Sequence, residues 1–232
     1  MKKSTLLFTI ISLFITVSAV AQNDDDWNTK VYEIGEFDKI YLEGGFKVIL
    51  TQDDECKLIA KTTNDDIFDD LKVRNENGKL IIKMDYEFFR FNRINLYISF
   101  NMLEQLEIEG SVNLTTTGYI DLNDFAMSVE GGAKIEMELK AEDIDIVGEG
   151  GFLFNLEGIA QNLDVKISGA GHVDAEDLKV QNVDFTVEGV GTGSVYAVNK
   201  LNARIEGVGK VRYKGNPRVT QYIDGLGSVR RD

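Results

Sequence analysis

The 232-residue sequence has one cysteine, Cys56, one histidine, His172, and one proline, Pro217. A lone cysteine excludes an internal disulfide. One histidine excludes a histidine-rich zinc site, which a single thiol cannot complete. The alternation Cys56, Leu58, Ala60 predicts a buried thiol, because free cysteine behaves as a small hydrophobe. Basic residues are scarce as well: 25 Lys and Arg stand against 39 Asp and Glu, a formal charge of -14. That balance argues against nucleic acid and anionic membrane as partners, since both repel the chain before short-range contacts form. Helical periodicity is almost absent, "NDDIFDDL" (64–71) being the one stretch with room for a turn or two.

Long apolar runs are confined to the start of the chain. Lys2 and Lys3 precede an apolar and hydroxyl run from Leu6 to Val17, and Ala19, Val20 and Ala21 supply the small residues of a cleavage site. The expectation is a signal peptide over 1–21, cleavage before Gln22, and export to the periplasm or cell surface. The run is short for a membrane span and no second one follows, so an integral membrane protein is not expected. No cysteine stands near the cleavage point to carry a lipid anchor. Removing 1–21 takes away Lys2 and Lys3 and moves the charge from -14 to -16. Residues 22–232 are then enough chain for one domain with its own core.

What is present is alternation and repetition. "KLIIKM" (79–84), "INLYISF" (94–100) and "LEIEG" (106–110) read as strands with period two. Gly110, Gly131, Gly150, Gly169, Gly189, Gly207 and Gly225 recur at spacings of 21, 19, 19, 20, 18 and 18 residues. Taking each glycine as position zero brings apolar residues into columns six, four and two places before it. The first column holds Phe125, Ile144, Leu163, Val183, Leu201 and Val219. Four places after the glycine stand Leu114, Ile135, Phe154, Val173, Val211 and Val229, and a two-residue insertion after Gly189 brings Val195 into the same column. One repeat cannot bury its own apolar face, but stacked repeats can, with identical columns about 4.8 Å apart. Each inward Val, Ile, Leu or Phe then contributes roughly 1.5–3 kcal/mol. The fold expected is all-β: a single-domain parallel β-helix, or β-solenoid, with rungs of about 19 residues.

The glycine-dense "EGVGTGSVYA" (188–197) therefore does not read as a phosphate loop. A dinucleotide fingerprint needs a helix start after the glycines, because the pyrophosphate sits on the helix amino terminus. Here "SVYAVN" alternates like a strand and the element returns as "EGVGK" and "DGLGS". The glycines read as corner residues tolerant of positive φ.

The stretch "FDKIYLEGGFKVILTQDDECKLIAKTTNDDIFDDLKVRNENGKLIIKM" (37–84), then "LYISFNMLEQLEIEGSVNL" (96–114), the recurring "SGAG" and "EGVG", and "YKGNP" (213–217) resemble the bacterial head GIN domain family. That family, DUF2807, is described as "putative auto-transporter adhesin". The resemblance covers essentially all of 22–232 and implies an exported β-helix protein, with no catalytic residues to transfer. The chain departs from the family in using Glu-Gly at corners where Ser-Gly is common.

Three sets of residues bear on chemistry. Ser168, His172 and Asp174 are close in sequence, but nothing indicates convergence or an oxyanion site, and His172 is expected in an exposed loop. No catalytic residue is assigned. Next come the acidic columns. Glu109, Glu130, Glu149, Glu188, Glu206 and Asp224 directly precede corner glycines, while Asp145, Asp164 and Asp184 lie five places before theirs. Unit charges about 5 Å apart repel by roughly 3 kcal/mol at an effective dielectric of 20. Such columns must be solvated, neutralised by neighbours such as Lys166 and Arg204, or bound to a cation. Asp145, Asp164 and Asp184 are the candidate Ca2+ ligands, although no aspartate-rich calcium loop appears. The third set is "YEFFRFN" (86–92) with Arg93. Tyr86, Phe88, Phe89, Arg90, Phe91 and Arg93 have the composition of a contact patch, or of a cap over the solenoid.

The function expected is an exported noncatalytic envelope or surface protein, binding a glycan or protein partner as an adhesin does. The alternatives are a polysaccharide-active enzyme on a β-helix and an envelope scaffolding component. A lyase for acidic glycans needs a basic groove, and a hydrolase pair such as Asp145 and Asp164 recurs on neighbouring rungs, so a structural explanation is simpler. The last corner, "DGLGSVRRD", leaves a strand edge open to self-association, with Arg230 and Arg231 as charged guards.

Overall fold

The fold is described for residues 27–84 and 94–232 of a computed structural model. The expected signal peptide and the aromatic connector Tyr86–Arg93 lie outside the described residues. Alternating side chains give strands almost everywhere. They are β1 (Asn28–Tyr32), β2 (Lys39–Gln52), β3 (Lys57–Thr62), β4 (Lys72–Glu76), β5 (Lys79–Lys83), β6 (Ile94–Phe100) and β7 (Gln105–Thr116). There follow β8 (Ile120–Asp121), β9 (Asp124–Ile167), β10 (Ala170–Val187), β11 (Val190–Ile205), β12 (Val208–Lys214), β13 (Arg218–Ile223) and β14 (Leu226–Arg231). The helix expected within 64–71 is one turn, α1 (Ile67–Asp70), which buries Ile67.

From β7 onward the chain is a parallel β-solenoid. β7 pairs with β9, β9 with β10, β10 with β11, and β11 with β12 and β13, all parallel and with like positions in register. The strand β9 runs 44 residues through more than two turns. The columns six, four and two places before the corner glycines point inward, as Leu163, Val165 and Ile167 show. In the last turn they open: Gln221 and Ile223 are exposed.

The glycine column is longer than the sequence alignment shows. Gly44 pairs with Gly110, and Gly110 with Gly131, so the ladder starts on β2. A Cβ on Gly131 would fall inside van der Waals contact with the carbonyl oxygen of Gly110, and one on Gly150 would meet that of Gly131. Both also have positive φ, 118° and 114°. Only glycine lets the backbones of successive rungs come this close.

The expected insertion at 189–195 is absent. Val173, Gly193 and Val211 are in register, so Gly193 itself occupies the apolar column. A Cβ there would overlap the Phe185 ring, which fills the space from the facing wall. Phe185 thus supplies the packing that Gly193 lacks.

The first part of the chain is mixed rather than purely parallel. β2 pairs in parallel with β5, β6 and β7, whereas β3 pairs antiparallel with β6 and β1, and β4 antiparallel with β5. One continuous core nevertheless runs from Ile34 to Val211. Cys56 is only half-buried, against expectation: it precedes β3, and its thiol faces Glu36 Oε2 at 3.4 Å while Leu58 and Ala60 are buried.

Candidate functional site

Strands expose every second side chain, so each outward column forms a straight line along the solenoid. The column five places before the corner glycines holds Gln105, Ala126, Asp145, Asp164, Asp184 and Asn202. Asn162 and Asn182 border it on one side and Arg204 and Tyr222 on the other, so it forms the floor of a shallow groove. Three depressions follow one another along it. The first, about 520 Å3, is lined by Lys39, Gln105, Asp124, Ala126 and Asp145. The second, about 260 Å3, shares Asp145 and adds Asn162, Asp164, Asn182 and Asp184. The third, about 320 Å3, shares Asp184 and continues past Asn202 and Arg204 to Thr220 and Tyr222.

Hydrogen bonds between rungs order the polar side chains. Asn162 donates to Asp143 at 2.5 Å, Asn182 to Asn162 at 2.9 Å, and Asn202 to Asp184. Lys200 lies 3.8 Å from Asp184. Asp164 is in register with Asp184. Burial, with Asp184 and then Asp145 beside it, holds the Asp164 carboxyl above its usual range. At the amino-terminal end of the wall, Lys83 pairs with Glu43 at 2.5 Å and Tyr41 donates to Glu43 at 2.9 Å. Those two bonds hold the Glu43 carboxyl below its usual range; burial first, then hydrogen bonds to Glu109 and Glu43, push the Tyr41 hydroxyl up. At the other end the Arg204 guanidinium lies 5.1 Å from the Tyr222 ring.

The sequence-derived candidates separate in space. Asp145, Asp164 and Asp184 line one groove, as a ladder rather than a cage: among the described residues no three His, Cys, Asp or Glu side chains gather where a metal ion could be held. Ser168 donates to Glu188 at 3.3 Å, while His172 Nδ1 lies 2.6 Å from Thr192 Oγ1. These contacts lead away from each other, so no serine-histidine pair forms. His172 is on strand β10, not in the loop expected. The other acidic column is partly neutralised, Glu188 by Lys166 at 2.8 Å and Glu206 by Arg204 at 2.9 Å. Sequence reasoning passed over the wall residues Asn162, Asn182 and Tyr222. The asparagines stand seven places before Gly169 and Gly189, so the same repeat alignment contains them. Tyr222 gave no signal, because its column holds unlike residues.

The arrangement is an open, solvated line of acceptors and amides repeating every rung, about 4.8 Å. It suits an extended partner with regularly spaced hydroxyls or amides.

Solved structures of low identity share the fold. A protein described as a "putative adhesin" from Bacteroides fragilis aligns with TM-score 0.76 and 22% identity over 89% of this chain and 97% of its own. A "putative lipid binding protein" from Parabacteroides distasonis aligns with TM-score 0.65 and 21% identity, over 90% and 98%. A "putative adhesin" from Parabacteroides merdae gives 0.67 and 18%, over 90% and 97%. Two of the three carry the same description and one a different one, and at these identities the likeness is one of fold. No curated protein matches the sequence. Residues 36–217 match the family model "Putative auto-transporter adhesin, head GIN domain", and the chain belongs to that family, DUF2807.

Proposed function

We propose that the protein is an exported, noncatalytic, adhesin-like surface or envelope protein that holds an extended neutral glycan strand along the groove from Lys39 to Tyr222. The observation that carries this reading is the continuity of the three depressions over one mostly polar column. A rung spacing of about 4.8 Å is close to the length of one pyranose unit, so successive sugars meet successive rungs in the same way. Asp145, Asp164 and Asp184 accept hydroxyl hydrogen bonds and repel anionic polymers; Asn162 and Asn182 both donate and accept. Tyr222 offers a ring at the groove's end. The family and neighbour descriptions support an adhesin-like role at the cell surface.

The test is binding of residues 22–232 to an array of bacterial and host glycans, with and without calcium. Saturable binding to neutral glycans, weakened about 5- to 10-fold by Asp164→Asn, is the expected result, since asparagine keeps an acceptor oxygen and loses only the roughly 1–1.5 kcal/mol by which a bond to a charged group exceeds a neutral one. Capture restricted to acidic glycans contradicts the proposal. Turnover of a bound glycan that disappears in Asp145→Asn or Asp164→Asn would replace it with the enzyme reading. Calcium on Asp145, Asp164 and Asp184 fails as an idea if both binding and Tm are the same in millimolar calcium and in chelator.

A further inference from the structure

The net charge hides a division within the chain. Residues 101–206 contain 20 Asp and Glu against 6 Lys and Arg, a net of -14, whereas residues 207–232 contain 6 Lys and Arg against 2 Asp, a net of +4. The parallel registers of β11, β12 and β14 arrange part of that basic charge on one outward face. Val190, Val208 and Leu226 stand in one column, Thr192, Lys210 and Ser228 in the next, and Ser194, Arg212 and Arg230 in the third. Columns on one face are two residues, about 6.7 Å, apart. The first column is apolar and open to solvent, at 59%, 49% and 74% exposure. Earlier rungs carry only Ser111, Gly132, Gly151 and Ala170 in that column, so the strip belongs to the last turns.

The basic side chains beside it are uncompensated. Lys210 and Arg230 form no ion pair among the described residues, and Arg212 donates only to the Ser194 hydroxyl, at 3.1 Å. Arg212 and Arg230 are directly in register, an arrangement of like charges that disfavours the isolated sheet. The corner carboxylates Glu188 and Glu206 are taken up by Lys166 and Arg204. Asp174, in register with Ser194, Asp224, two residues before Leu226, and Asp232, two residues after Arg230, are the remaining carboxylates beside this face, and all three stand at its margins, on the preceding strand or beyond the ends of β14.

An open apolar strip next to uncompensated guanidinium groups is the composition of a surface that rests on anionic lipid, where arginine pairs with phosphate and aliphatic side chains enter the headgroup boundary. We propose that the β11–β12–β14 face docks the protein peripherally on an anionic bilayer, with Val190, Val208 and Leu226 inserting and Lys210, Arg212 and Arg230 pairing with lipid phosphates. The acidic turns before it are repelled by the same surface, which sets the orientation: last turns down, acidic groove away from the lipid. A second copy of the chain is the weaker occupant. The three columns over three rungs cover roughly 10 by 13 Å, on the order of 130 Å2, far below the ~800 Å2 per partner of a stable interface.

The experiment is co-sedimentation of residues 22–232 with lipid vesicles. This portion contains every described strand together with its partners, and it leaves out the apolar run 6–17, which would enter lipid by itself. Vesicles of phosphatidylcholine alone are compared with vesicles containing phosphatidylglycerol, at low and high salt. Binding should require phosphatidylglycerol and fall with salt. Arg212→Gln with Arg230→Gln should lower it about 30-fold, from roughly fivefold per basic residue near an anionic surface. Val208→Ser with Leu226→Ser should lower it about 10-fold while leaving Tm unchanged, because both side chains are exposed. Equal binding to both vesicle types, or equal binding by the variants and the parent, overturns the proposal. So does a dimer in sedimentation equilibrium that Val208→Ser with Leu226→Ser dissociates, which assigns the strip to a second copy.

Discussion

The part of the chain before β7 and the turns that follow it build one core by different rules. Before β7, strands β2, β5 and β6 already align in parallel with one another, whereas the antiparallel strands β1, β3 and β4 and the short helix α1 place their side chains once: Leu58, Ala60 and Ile67 stand outside the repeat. After β7, one rung is repeated, and each inward residue packs between like neighbours from adjacent turns. The comparison teaches where each part is vulnerable. A unique packing site tolerates change according to its own surroundings, whereas a repeated rung concentrates its constraint in the one column where backbones meet.

The largest expected effect lies in that column. Gly150→Ala puts a Cβ against the Gly131 backbone at a residue with φ 114°, and a backbone atom cannot swing aside. A loss of about 4 kcal/mol or more is expected, lowering Tm by 10 °C or more in a domain of this size. Gly151→Ala, one residue along, has open space around its Cβ and should change Tm by less than about 2 °C. Equal effects at the two positions would break the distinction.

Next in size is the exchange between facing walls. Phe185→Ala empties the space that Gly193 leaves and should cost about 3–5 kcal/mol. Gly193→Ala should cost about 1–3 kcal/mol by overpacking the same ring, and Phe185→Leu should relieve part of that loss. Strict additivity in the double variant would show that the two sites do not share volume.

A smaller effect, with a defined sign, comes from the carboxylate ladder. The folded-state pKa of Asp164 is raised, by burial and then by Asp184 and Asp145, so the folded protein binds its proton more tightly than the unfolded chain does. Stability from this group is greatest below the ordinary aspartate range and falls as pH rises toward the folded value. Asp164→Asn should therefore raise Tm slightly at pH 7, by about 1–3 °C, and lose that advantage near pH 3. Glu43 behaves oppositely: its pKa is lowered by Lys83 and then Tyr41, so its contribution is present above the ordinary carboxylate range and is lost on acidification. Smallest of all is the exposed pair Arg204 and Glu206, whose separation in Arg204→Ala should cost no more than about 1 kcal/mol.

The repeated part was legible in the sequence because period two and a spacing near 19 residues act on the same residues. Leu163, Val165 and Ile167 are recognisable as a strand and again as three columns. Gly44 escaped because residues 45–109 separate it from the next member of its ladder, and the strands between pair antiparallel without repeating. Gly193 was misplaced because column matching rewards similar side chains, while packing conserves volume and let Phe185 supply it from the opposite wall. The floor of the groove was half legible: Asp145, Asp164 and Asp184 stood out as charges, whereas Asn162, Asn182 and Tyr222 become wall residues only once the rungs are stacked.

The most direct test of the groove's role is a length series of neutral oligosaccharides from the glycan array, titrated against residues 22–232. A groove running along successive rungs predicts affinity that climbs with each added sugar and levels off at about seven units, one per rung, when the chain fills the floor from Gln105 to Thr220. Affinity independent of length beyond one or two sugars, or unchanged by Tyr222→Ala, would contradict an extended site and leave the polar columns as a solvated face of the scaffold.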